Sequence, residues 1–242
     1  MITEISFLLS DKRRNRKMKI DRRFRNALYM FLVFVIWTVL VRVVDTAAIG
    51  PMDTVVGFSS VNGMVHNALG TNAFWYSVSK ILGYLAIALA GFFAVIGLVQ
   101  LIRRKSLAEV DGKILAAGVI YICVIIAYVL FDKLIINYRP VIMPDNTVPE
   151  ASYPSTHAML GCVSFGIGAM TLKDYMKSPA VGKAVSALCW VLAVMTVVAR
   201  LLSGVHWLTD IIGGVIISVF FLMLYNAACR KIDYLEHKKA KS

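Results

Sequence analysis

The chain has 242 residues, 59% of them hydrophobic and 17% charged, with mean hydropathy +0.72. A soluble domain is about 25% charged, so this composition excludes an ordinary water-soluble fold. The 26 Lys and Arg against 14 Asp and Glu give a net charge of +12, and in so apolar a chain that surplus points to cytoplasmic membrane-flanking segments before it points to nucleic acid.

Residues 1–26 form a basic arm holding nine Lys and Arg. Apolar segments follow at 27–44, 81–102, 114–131, 158–172, 184–202 and 208–228. A helix rises about 1.5 Å per residue and needs about 17–25 residues to cross the hydrocarbon. The segments therefore predict an all-α, six-span transmembrane bundle over 27–228, closed by a basic tail at 229–242. The first is longer than a signal-peptide core and contains Arg42, so it reads as an uncleaved span. Segment 45–80, with Trp75 and Tyr76, is long enough to fold over the outer ends of the spans. The fourth segment is short and carries Gly161, Gly166 and Gly168, as a helix packed inside a bundle would. Cys123, Cys162, Cys189 and Cys229 lie in apolar stretches without C-x-x-C spacing and read as small buried hydrophobes.

If every segment crosses once, 21 of the 26 basic residues fall on one face, in the arm, at 103–113, at 173–183 and at 230–241. The positive-inside rule then makes both termini cytoplasmic and the protein a multi-pass plasma-membrane protein. Charges so dispersed offer no nucleic-acid face. The expected contacts are membrane lipids, and no protein partner is implied. Five cations remain for the outer face: Arg42, Lys80, Lys133, Arg139 and Arg200. Arg42 and Lys80 read as side chains snorkelling to the interface. The other three have polar company, which at membrane depth is a sign of function.

That company lies in two stretches, 132–157 and 199–210. Lys and Arg supply the point charge and planar forks that match phosphate oxygens. Pro154-Ser155-Thr156 reads as a helix N-terminus, where free N–H groups and the helix dipole favour an anion. His206 and Asp210, four apart, share a helix face, so the carboxylate can fix the imidazole tautomer and leave the other ring nitrogen free to attack phosphorus. His157, in the first turn of another helix, is placed to protonate a leaving oxygen.

These residues resemble the type 2 phosphatidic acid phosphatase family, membrane relatives of bacterial acid phosphatases and vanadium haloperoxidases. The family pattern is K-x(6)-R-P, then P-S-G-H, then S-R-x(5)-H-x(3)-D. The matching positions are Lys133, Arg139 and Pro140; Pro154, Ser155 and His157; and Arg200, His206 and Asp210. Five residues rather than six separate Lys133 from Arg139, Thr156 replaces Gly, and Ala199 replaces Ser. The shortened spacing bears most on Lys133, since one residue rotates a helical position by about 100°.

The resemblance implies hydrolysis of a phosphomonoester or diphosphate lipid at the outer or periplasmic face, without metal or cofactor. His206 would be the nucleophile, Asp210 its orienting partner and His157 the acid, then base. Lys133, Arg139, Ser155, Thr156 and Arg200 would bind the phosphate. Undecaprenyl diphosphate, phosphatidylglycerol phosphate and phosphatidic acid are the candidate substrates, with a slight lean to a polyprenyl diphosphate. The alternative is a transporter or flippase of an anionic lipid or phosphate. It would call for inverted repeats, and 27–131 and 158–228 show no such symmetry.

Overall fold

The structure is a computed structural model that describes the backbone of residues 2–239 and the side chains of residues 17–238. Seven α-helices carry the fold: α1 (Ile2–Val43), α2 (Ser59–Leu69), α3 (Ala73–Arg104), α4 (Gly112–Lys133), α5 (Thr156–Thr171), α6 (Pro179–Leu202) and α7 (Leu208–Lys239). No glycine or proline interrupts residues 1–43, and α1 accordingly runs unbroken from the basic arm into the apolar span. Five helices are long and apolar enough to cross a membrane: Lys17–Val43, Ala73–Arg104, Gly112–Lys133, Pro179–Leu202 and Leu208–Lys238. The remaining predicted segment becomes α5, whose 16 residues extend only ~24 Å, less than the ~30 Å hydrocarbon core.

Helix α5 is the centre of the bundle and packs on α3, α4, α6 and α7. Each of its glycines admits a different neighbour. A Cβ on Gly161 would come within 2.6 Å of Thr196 Cγ2 on α6, one on Gly166 within 2.6 Å of Leu222 Cδ1 on α7, and one on Gly168 within 2.9 Å of Leu89 Cδ2 on α3. Around it, Phe34, Phe93, Phe131, Tyr153 and Phe221 form the main apolar core. Outward-facing Ile81, Leu85, Phe92, Ile122, Ile126 and Val191 leave an apolar perimeter, as a lipid-facing bundle requires. All four cysteines are unpaired.

The two ends of the bundle differ. At one end the start of α4 meets the end of α7 through Lys113, which pairs with Asp174 at 2.9 Å and Asp233 at 3.5 Å. At the other end a cover lies across the helix mouths. It consists of a short hairpin, β1 (Ala47–Ala48) and β2 (Val55–Val56), followed by α2. The cover is shorter than the 45–80 expected. Asn72 accepts a hydrogen bond from the Trp75 N–H at 3.1 Å and starts α3 there, so Trp75, Tyr76 and Lys80 belong to a spanning helix. Polar Ser77, Ser79 and Lys80 lower the apolarity of its first turns and hide that start from a hydropathy reading.

Candidate active site

The covered end gathers residues from four helices and a loop. Residues 203–207 link α6 to α7 and present His206; Asp210 follows in the first turn of α7. Gly204, at φ +67, makes this tight link, and a Cβ there would lie only 1.8 Å from the Gly70 carbonyl oxygen. Both backbone conformation and space therefore demand glycine.

His206 is held on two sides. Its Nδ1 lies 3.5 Å from Asp210 Oδ2, and its Nε2 lies 2.9 Å from Arg200 Nη2 and 3.5 Å from Arg139 Nη1. A guanidinium can only donate, so the close Arg200 contact requires a lone pair on Nε2 and leaves the ring proton on Nδ1, toward the carboxylate. Burial, then the Arg200 and Arg139 cations, hold His206 well below the ordinary imidazole pKa. A neutral ring is the result, whose Nε2 can act as a base or nucleophile once an anion draws the guanidinium donors away.

Asp210, fully buried, is itself fixed. Its Oδ2 accepts from the Trp207 N–H at 3.0 Å and its Oδ1 from Asn137 Nδ2 at 3.2 Å, while its backbone carbonyl accepts from the Ser155 N–H at 2.9 Å. Asn137 also accepts on Oδ1 from the Gly57 N–H at 3.3 Å, and its carbonyl accepts from the Ser152 N–H at 2.9 Å. One asparagine thus joins the cover, the α4–α5 loop and the carboxylate. A Tyr138–Ala151 bridge and the Arg139 N–H to Glu150 carbonyl bond close the same loop. Arg139 Nε lies 3.1 Å from Glu150 Oε2. Arg200 is 1% exposed and donates from Nη1 to Ser79 Oγ at 3.3 Å. The buried Ser155 Oγ and Arg200 Nε have no hydrogen-bond partner within the protein. Buried polar groups are rarely left unpaired, and an anion is the ligand that a hydroxyl and a guanidinium N–H share.

Two cavities meet here. The outer cleft, ≈ 250 Å³, is lined by Arg139, His206, Glu150 and Asp132; an apolar groove, ≈ 280 Å³, is lined by His157, Lys80, Gly83, Ile87, Val124 and Leu160. Tyr128 and Thr156 border both. His157 opens α5 at the junction.

Of the residues singled out from sequence, the fold brings His157, Ser155, Thr156, Arg139, Arg200, His206 and Asp210 to this end. Lys133 is not among the lining residues. It ends α4, is 81% exposed in its side chain and pairs with Asp132 at 3.0 Å. Asn137, Asn62 and the site face of α3 were not visible in the sequence reading. Isolated asparagines carry no periodic signal, and Tyr76, Ser79 and Lys80 stand in a segment read as loop. Among the described residues, no group of three or more His, Cys, Asp or Glu could hold a metal ion.

The family model described as the PAP2 superfamily matches residues 112–232, half of the chain. Among solved structures, a transmembrane PAP2-type phosphatidylglycerolphosphate phosphatase from Bacillus subtilis is similar at a TM-score of 0.62. The two chains are 21% identical, over 85% of this one and 96% of that one. No curated protein matches.

Proposed function

Since the chain belongs to the PAP2 superfamily, we propose that it is a multi-pass membrane lipid phosphatase working through a phosphohistidine on His206. The 2.9 Å contact between Arg200 Nη2 and His206 Nε2 carries this reading, because it puts an unprotonated nitrogen beside the cation that would hold the phosphate.

In the first step Nε2 attacks phosphorus while the bond to the leaving oxygen breaks, and His157, charged once the bound phosphate offsets the Arg200, Arg139 and Lys80 cations beside it, gives that oxygen its proton. Asp210 offsets the positive charge that develops on the His206 ring, and Arg139 and Arg200 offset the charge on the equatorial oxygens. In the second step neutral His157 takes a proton from water. The water oxygen attacks phosphorus, the P–N bond breaks, its electron pair returns to Nε2, and inorganic phosphate leaves. Ser155 Oγ and the N–H groups opening α5 complete the phosphate cradle.

The apolar groove between α3, α4 and α5 suits the first carbons of a lipid chain, with the headgroup at the Tyr128–Thr156 junction. The substrate is therefore a phosphomonoester or diphosphate lipid. Phosphatidylglycerol phosphate, the substrate named for the B. subtilis relative, and undecaprenyl diphosphate are the first to compare. The positive-inside rule supports cytoplasmic termini and a site on the outer side of the plasma membrane.

Protein purified in detergent with EDTA should release phosphate from lipid phosphates, and His206→Ala should abolish release. Metal-dependent release, or release that survives the substitution, would sink the mechanism. A substrate panel read as kcat/KM chooses the lipid. A cysteine placed at Asp145 should be labelled from outside the cell; labelling only from the cytoplasm would reverse the orientation.

A further inference from the structure

We propose that Lys80 of α3 binds the substrate phosphate, in the role that the family pattern gives to a lysine at the end of α4; this rests on the phosphatase reading above.

The α4 wall cannot supply that cation. Seven residues before Arg139, where the K-x(6)-R-P pattern places lysine, stands Asp132. It lines the outer cleft with Arg139, whereas Lys133 is rotated out of the cleft and held on Asp132. The one-residue shortening has therefore put a carboxylate at the pattern's lysine position and turned the lysine to solvent.

The opposite wall carries the replacement. Tyr76, Ser79, Lys80 and Gly83 stand at i, i+3, i+4 and i+7, one stripe along α3. Three of the four touch the site residues directly or through a shared ring. Ser79 Oγ accepts from Arg200. A Cβ on Gly83 would lie 3.1 Å from His157 Cδ2 and 3.5 Å from its Nε2, so α3 runs against the imidazole itself. The Tyr76 ring lies under both cations, 5.8 Å from the Arg200 guanidinium carbon and 5.6 Å from Lys80 Nζ. Lys80 then lines the same groove as His157, one turn from Gly83.

Two cations gathered on one aromatic ring repel each other. Among the described residues, neither forms an ion pair with a carboxylate. A tyrosine face offsets part of that repulsion, but an anion between the two offsets more. The flexible four-carbon stem of lysine lets Nζ follow a phosphate from the groove mouth to the junction. Helix α3 lies outside the region matched by the family model, 112–232, so a motif search confined to that region passes over Lys80.

The test separates this assignment from the phosphatase reading. Binding of inorganic phosphate to the full chain in detergent, followed by calorimetry, needs no turnover. Lys80→Ala should weaken the Kd by ~10- to 100-fold, the scale of one charge-assisted hydrogen bond. Lys80→Arg should restore most of it, and Lys133→Ala should leave it unchanged. With a lipid substrate the Lys80→Ala loss should appear chiefly in KM. A wild-type Kd in Lys80→Ala, an equal loss in Lys133→Ala, or a loss that Lys80→Arg does not restore overturns the assignment. If phosphate binds through Lys80 but no lipid phosphate is hydrolysed, the phosphatase reading fails and the cation assignment stands.

Discussion

Residues 112–232 and the segment before them, 17–111, meet at the covered end but contribute different things. The later region holds His206, Asp210, His157, Arg139 and Arg200; three of them are buried, and His206 lies 2.9 Å from Arg200 and 3.5 Å from Asp210 and Arg139. The earlier region adds no further histidine to the reacting set. It supplies Asn62, which clasps the start of α7, and the α3 stripe that receives Arg200 and lies along His157. The residues proposed for the chemistry are thus concentrated in one part of the chain, and those that cover and flank them in the other. Short motifs can specify the first group, because its residues cluster near the starts of α5 and α7, the end of α6 and the loop after α4. The second depends on packing across the whole bundle.

The division can be broken hardest at the carboxylate. Asp210→Asn should lower kcat by ~10³- to 10⁴-fold with the fold retained, since an amide can leave the imidazole in the wrong tautomer; steady-state kinetics beside a thermal melt would show it. A near-normal kcat would mean that Asn137 and Trp207, not His206, are the reason for this residue. Next comes Arg200→Ala, expected to cost ~10²- to 10³-fold in kcat/KM as the loss of one preorganised charge donor. Arg200→Lys should recover little, because a single ammonium cannot reach both Ser79 Oγ and His206 Nε2 as the fork does.

In the earlier region the expected loss is of stability before chemistry. Asn62 Nδ2 donates to Thr209 Oγ1 at 2.9 Å and to the Gly57 carbonyl at 2.7 Å, and its Oδ1 accepts from the Thr209 N–H at 3.2 Å. Asn62→Ala strands buried partners and should lower unfolding free energy by about 1–3 kcal/mol. Thermal unfolding in detergent reads the effect, and a change in kcat without one in stability would move Asn62 into the chemistry. The smallest effect is a shift in pH profile. His206 is held below its ordinary value of 6.5, first by burial and then by Arg200 and Arg139. Lowering keeps the ring neutral as pH falls, so the acid limb of kcat/KM assigned to it should lie below 6.5. Arg139→Ala removes one cation and should move that limb upward; a downward move contradicts the assigned field.

How legible was this arrangement beforehand? The helices at 114–131, 184–202 and 208–228 announce themselves by unbroken apolarity, and the structure extends each by only a few residues at its start or by its polar tail. The nearness of His157, His206 and Asp210 to helix starts was legible from Pro154-Ser155-Thr156 and from the four-residue spacing of His206 and Asp210. Lys133 follows its spacing: one residue short of the pattern, it is turned to solvent beside Asp132 and does not line the cleft. Lys80 shows the converse. Its neighbours Ser77 and Ser79 blurred the start of α3, so a helix face appeared as loop and a site-facing cation as a snorkelling one. Asn62 and Asn137 had no signal at all, because each acts through partners distant in sequence, 147 residues away for Thr209 and 73 for Asp210.

That separation also sets an order of assembly. The cover and the first turns of α3 are synthesised long before the α6–α7 link on which they rest, where the Asn72 N–H meets the Ser203 carbonyl and Gly204 accommodates the Gly70 carbonyl. During translation these amides have only water or headgroups as partners, and non-local contacts of this kind form late. The link before α7 brings His206 and also the surface on which the earliest part of the site settles, so His206 comes into place as the cover closes over it.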